Sequence, residues 1–231
     1  MKGAGYAVTM REQIEELALR MGACDVGFCK ADDFKEGFEN GVSIVVKLSD
    51  EVLREISDKP THSYFHHYRT VNTLIDQCLL QIGILLEKNG YRYLPVGASQ
   101  SINTDGNPYQ GRYSHKKAAC LAGLGTIGKN VLFLHRVHGP KVRLGTLFTD
   151  CDLQGSHRFA QNTCGSCDIC ASVCPAMAIP HVKEYGPGEL PVLDARACSE
   201  YMKRQFKMIG RGAVCGICLR YCPKAALGRP E

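Results

Sequence analysis

The sequence predicts an α+β protein in two units: a layered domain of helices and strands over residues 1–155, then a small cysteine-rich domain over residues 156–231. Three observations carry this. Amphipathic helical stretches alternate with short Val- and Ile-rich runs as far as about Asp150, which is how layer folds read. Eight of the 13 cysteines crowd the final third, so the composition breaks near residue 155. The tail also holds a degenerate repeat, each half carrying a Cys-x2-Cys unit that ends in Cys-Pro, at Cys174-Pro175 and Cys222-Pro223.

The elements follow in order. Thr9 and Glu12 form a capping box, and Ile14, Leu17, Ala18 and Met21 recur at helical spacing until Gly22 offers a left-handed stop. Cys24 to Cys29 and Val42 to Leu48 read as buried strands, with Cys24 and Cys29 as small core residues. From Thr70 to Asn89, one stripe of Val71, Leu74, Ile75, Cys78, Leu79, Ile82, Leu85 and Leu86 predicts a helix closed by Gly90. Tyr91 to Val96 is a strand. Ser99 to Gly111 has no period and reads as a long loop, the kind of segment in which sites concentrate. Ser114 caps a short helix through Leu121. A glycine-rich loop, Ala122 to Asn130, then leads into strands at Val131 to His135 and Lys141 to Thr149, joined by a turn at Gly139-Pro140.

The 231 residues suffice for one sizeable core plus a small satellite. The net charge of +5 is dispersed, which permits an anionic partner without requiring one. No apolar run reaches the roughly 18 residues a membrane span needs, and Met1 to Val8 has neither a signal-peptide core nor a twin-arginine pair, so no membrane partner and a cytoplasmic location are expected. In that reducing compartment clustered cysteines point to metal, not disulfides.

Cys164-x2-Cys167-x2-Cys170-x3-Cys174-Pro175 has the spacing of bacterial two-cluster ferredoxins. Three thiolates on a tight loop wrap one cubane, and the fourth is carried away to face a second. The other half, Cys215-x2-Cys218-x3-Cys222-Pro223, lacks one ligand, for which Cys198 is the replacement. Cross-ligation then gives one 4Fe-4S cluster on Cys164, Cys167, Cys170 and Cys222, and a second on Cys174, Cys198, Cys215 and Cys218. The rivals are structural zinc and free thiols; zinc favours two well-separated Cys-x2-Cys pairs.

Ser114 to Asn130, Gly139 to Asp150, and the cysteine module with Leu193-Asp-Ala-Arg-Ala-Cys198 together resemble the epoxyqueuosine reductases and the related reductive dehalogenases. The resemblance covers about residues 110 to 225. It implies a nitroreductase-like α/β domain coupled to a bacterial-ferredoxin-like module, with a corrinoid (cobalamin) at their boundary. One cluster would reduce its cobalt, and the other would take electrons from an external ferredoxin- or flavodoxin-type donor. It also implies that Gly123, Leu124, Gly125, Gly128, Lys129 and Asn130 line the corrinoid site. Glycine lets backbone approach a flat macrocycle, and Lys129 offers a cation to its tail. The family's proton donor lies upstream of this loop, at a position close to Tyr109, with Asp105 and Tyr113 as neighbouring candidates and Arg112 as a cation to help a phenol. For both tyrosines, ordinary surface or partial packing is the alternative.

His115, after the cap serine, is divided between cofactor contact and surface, while His62, His66 and His67 read as a solvated helix start. The implied substrate is a small molecule or a nucleoside. tRNA enters as a further partner, although the chain ends soon after Cys222 without the helical-repeat extension that helps tRNA-modifying members hold theirs. Two other functions compete with the cobalamin-dependent reductase: a non-catalytic electron carrier or reductive activator with a docking domain, and an FMN-dependent reductase.

Overall fold

The computed structural model describes residues 8–34, 36–102, 106, 108–156, 164–182 and 192–225. Helix α1, Met10–Arg20, starts as its capping box requires: the Thr9 hydroxyl accepts from the Glu12 amide, and the Glu12 carboxylate accepts from the Thr9 amide at 2.8 Å. Strands β1, Asp25–Lys30, and β2, Asn40–Lys47, follow. After the short α2, Asp50–Arg54, comes α3, His62–Lys88, and then β3, Tyr93–Val96. Helix α3 begins eight residues before the expected start at Thr70, because Thr61 caps the Tyr64 amide and Tyr64 itself is buried. The three histidines therefore lie on its first turns, His62 and His66 exposed and His67 accepting from the Ser49 amide at 3.0 Å.

Helix α4, His115–Leu121, is capped by Ser114 and leads to β4, Gly125–Ile127, β5, Phe133–His135, and β6, Val142–Thr149. The main sheet is antiparallel throughout, ordered β1-β2-β6-β3, with Val45 opposite Leu144 and Ile44 opposite Gly145. Alternation sends Val42, Ile44, Val46 and Leu147 into a core shared with Ile14, Ala18, Ile75, Leu79 and Ile82 of α1 and α3. Val45 and Leu144 face the opposite way, toward Ala119 and Cys120 of α4 and toward Leu124 and Phe133. A sheet covered on both faces explains why β2 is buried along nearly its whole length.

Two expectations change. Cys24, expected in the core, is exposed; the buried strand begins after it, and Cys29 is fully buried. Part of the expected glycine loop is a strand, since β4 pairs with β5 through Gly125–His135 and Ile127–Phe133. The partner of β5 is therefore the segment before it, and β6 joins the main sheet.

The cysteine-rich region contributes α5, Ile169–Ser172, α6, Ala195–Gln205, and α7, Ile217–Arg220. Asp194 caps α6 by accepting from the Ala197 amide at 2.8 Å, and this helix carries Cys198. Phe206, Val214, Ile217 and Leu219 join the core that holds Ile56 and Tyr64, so the module is seated against α2 and the start of α3. Among the described residues no helix is long and apolar enough to cross a membrane.

Candidate functional site

The eight tail cysteines fall into two groups around two cavities. Cys164 and Cys167 lie on a turn in which the Cys167 amide donates to the Cys164 carbonyl at 3.1 Å, and Cys170 sits on α5. These three line a small cavity with Cys222, which follows α7, and with Lys129, Asn130, Leu134, Pro223 and Lys224. Burial first, and then the Cys164 and Cys222 thiols, push the Cys170 thiol up to about 11.

Cys174, Cys198, Cys215 and Cys218 line a much larger cavity of about 920 Å3. Burial, then the neighbouring Cys198 and Cys174, pushes Cys215 up to about 11; Cys218 is raised by burial and by Cys215, Cys174 and Cys198. Such thiols ionise only if a cation supplies the compensating charge. Among the described residues no three His, Cys, Asp or Glu side chains converge as a single metal ion requires. Each quartet instead surrounds a volume, the arrangement that suits a cubane with its ligands at separate corners.

The larger cavity runs from this second quartet to the loop before α4 and to β6. His115, Tyr109 and Tyr113 all line it, whereas Asp105 lies outside the described residues. Tyr109 is 43% exposed. The Tyr113 hydroxyl donates to Asp33 Oδ1 at 3.0 Å, and its ring meets Phe34 and Phe148 edge-on. Burial, then Asp33, pushes the Tyr113 phenol above its usual range, while the Lys117 ammonium beside Asp33 holds that carboxyl below its own. Arg112, expected as a cation to help a phenol, lines the same cavity and is paired with Glu36.

His115 is half-buried and fixed at both nitrogens. Gly97 offers only a carbonyl, 3.1 Å from Nε2, so the proton sits there and Nδ1 accepts from the Thr146 hydroxyl at 2.9 Å. Burial holds its pKa below the ordinary value, and the imidazole on this wall is neutral.

Of the glycine segment Ala122 to Asn130, only Asn130 lines the larger cavity. Leu124 is buried in the core, and a Cβ on Gly125 would overlap the Leu134 carbonyl oxygen, so that glycine admits the neighbouring strand. Gly128 packs instead on the Leu134 side chain, and Gly123, at φ +73, turns the chain out of α4. Lys129 and Asn130 line the small cavity.

Sequence reasoning passed over two cationic wall residues. Lys116 is half-buried and donates to the Val131 carbonyl at 2.8 Å. Arg143 stacks over Tyr68 at 4.1 Å and donates to Asn72 Oδ1 at 2.9 Å. A lone arginine inside the apolar run Val142 to Thr149 was the available signal, because a charge in a buried strand needs a reason.

A 4Fe-4S double cluster binding domain matches residues 163–225. The epoxyqueuosine reductase of Pseudomonas aeruginosa is 35% identical over 125 residues, 50% of this chain and 32% of that protein. Among solved structures, the catabolic reductive dehalogenase NpRdhA superposes with a TM-score of 0.75 at 21% identity, covering 93% of this chain and 31% of its own. A crystal structure of epoxyqueuosine reductase with a tRNA-Tyr epoxyqueuosine-modified stem loop superposes with a TM-score of 0.62 at 17% identity, covering 94% and 65%. The chain thus spans about a third of the Pseudomonas relative's length.

Proposed function

We propose that this relative of the epoxyqueuosine reductases and reductive dehalogenases is an iron–sulfur oxidoreductase whose larger cavity binds a corrinoid. The observation that carries this is the shared wall: Cys174, Cys198, Cys215 and Cys218 line the same cavity as Tyr109, Tyr113 and His115. The Cys164, Cys167, Cys170 and Cys222 quartet holds one 4Fe-4S cluster and the Cys174 quartet the other. When bound, the clusters would pass single electrons from an external ferredoxin- or flavodoxin-type donor to the corrinoid, whose reduced cobalt supplies the chemistry. The division at residues 155 and 156 then separates the corrinoid-binding domain from its reducing module. Helices on both faces of the sheet are compatible with a nitroreductase-like layering of the first domain.

The chain's own residues bind, orient and handle protons. Neutral His115, tied to Thr146 and Gly97, offers no labile charge to the wall and fixes the entrance to α4. Tyr113 holds a proton at its hydroxyl, directed at Asp33, and its raised pKa means that it yields this proton only to a strongly basic centre developing in the cavity. Tyr109 is the more accessible of the two phenols, and Asp105 remains a third candidate by position in the sequence. Lys116, Lys117 and Arg143 make the wall cationic, which suits an anionic tail or substrate. The substrate is proposed to be a small organic molecule or a nucleoside; a tRNA stem loop is the larger form to assay, given the relative solved with one.

The test is the visible spectrum of the protein purified without oxygen, reconstituted with iron and sulfide, incubated with cobalamin and passed through gel filtration. Corrinoid bands eluting at one per chain are expected. Cluster absorbance without corrinoid would instead favour the electron carrier, and a flavin spectrum the FMN-dependent reductase.

A further inference from the structure

Lys129 is only 3% exposed, and it lines the small cavity beside Cys164, Cys167, Cys170 and Cys222. Its place on that wall, shielded from bulk water, keeps solvent and salt from screening its charge. Its position is set by a tight turn. The Gly128 amide donates to the Leu132 carbonyl at 2.9 Å, the Val131 amide to the Gly128 carbonyl at 2.8 Å, and the Leu132 amide to Asn130 Oδ1 at 3.2 Å. Val131 takes φ +58, a left-handed conformation that β-branched residues seldom adopt, and Lys116 reaches in to bond its carbonyl. Strain of this kind persists only where the surroundings fix it, and it clusters at functional positions. The next residue, Asn130, lines both cavities, so the turn forms part of the partition between them.

We propose that Lys129 is the charge-compensating residue of the iron–sulfur centre held by the Cys164 quartet, and that it raises that centre's reduction potential. This rests on the reading that the quartet holds a 4Fe-4S cluster. Four thiolates make such a cluster an anion in both redox states, with one further negative charge after it accepts an electron from the donor protein. No proton or bond change accompanies that transfer. A buried cation at the ligand shell stabilises the reduced state more than the oxidised one, and burial keeps water and salt from screening it. Charge and burial are among the levers that spread cluster potentials over their wide range. Lys129 thereby lets the centre accept an electron from a weaker reductant.

Lys129→Gln removes the charge at nearly constant size, and Lys129→Arg keeps it. Both are compared with the wild-type holoprotein in a redox titration followed by electron paramagnetic resonance, after iron and sulfide analysis. In the glutamine variant one of two midpoint potentials falls by at least a tenfold loss in the electron-accepting equilibrium, about 59 mV for a one-electron couple, while the other moves far less. The arginine variant stays near wild type. Two intact clusters with unmoved potentials, equal shifts of both, or an arginine variant as low as the glutamine one would overturn the assignment. If Lys129→Gln loses one cluster's iron, the arginine variant decides: retained iron at the wild-type potential supports charge compensation, and equal loss rejects it. Wild-type protein without two clusters would remove the cluster reading itself, and the lysine's role with it.

Discussion

Two glycines of the segment before β5 separate a packing role from a conformational one. A methyl group on Gly125 would overlap the Leu134 carbonyl oxygen and stand 2.9 Å from that carbonyl carbon and 2.7 Å from Phe133 Cζ. The blocking atoms are mainly backbone of the paired strand, so β4 and β5 must part. Gly125→Ala therefore belongs at the upper end of overpacking costs, about 3 kcal/mol. Gly123 sits at φ +73 with nothing within 4 Å of its missing Cβ, so Gly123→Ala costs only the left-handed conformation, about 1 kcal/mol. For a chain of this length, each kcal/mol lowers Tm by roughly 2–4 °C. Differential scanning fluorimetry of the anaerobic holoprotein should then show a fall of roughly 6–12 °C for the first variant and roughly 2–4 °C for the second. Equal losses in the two variants, or a Gly125→Ala protein as stable as wild type with cobalamin binding selectively lost, would refute the packing argument and return these glycines to the corrinoid site.

Two further outcomes are expected. Val131→Asn, which tolerates φ +58 better and leaves the carbonyl that Lys116 bonds, should gain about 1 kcal/mol by relieving strain; a Tm lowered by the same measure would argue that valine's side chain matters more than its backbone. His115 has its folded pKa held below the ordinary 6.5, so the unfolded chain binds the extra proton first, and stability declines as pH falls below about 6.5. Denaturant midpoints measured across that range should drop for wild type and less for His115→Gln, whereas parallel curves would contradict the neutral, doubly bonded imidazole.

Local signals made much of the fold legible. The Thr9–Glu12 box, the apolar stripe of α3 and the cap at Ser114 each appear where short-range chemistry put them. The start of α3 was less visible, since Thr61 and the buried Tyr64 extend it through histidines that look solvated in one dimension. The strand β4 was hidden because three glycines read as a loop, and only its partner β5 reveals why glycine is needed there. The site divides similarly. Cysteine spacing suggests two groups of thiols, because a thiolate must reach a centre from a fixed loop, and the eight cysteines line two cavities, four in each. Lys129 carried no such geometric signature. Its assignment to one cavity or the other depends on the turn at Val131, which no periodicity records.

The most direct measurement is the iron and acid-labile sulfide content of protein isolated without oxygen, taken together with its Cys164→Ser and Cys198→Ser variants. The wild-type chain should carry two four-iron clusters, with each variant losing a different one and keeping the other. Zinc in place of iron, an absence of sulfide, or a Cys198→Ser protein with undiminished iron would contradict the pairing of these thiols on which the proposed electron path depends.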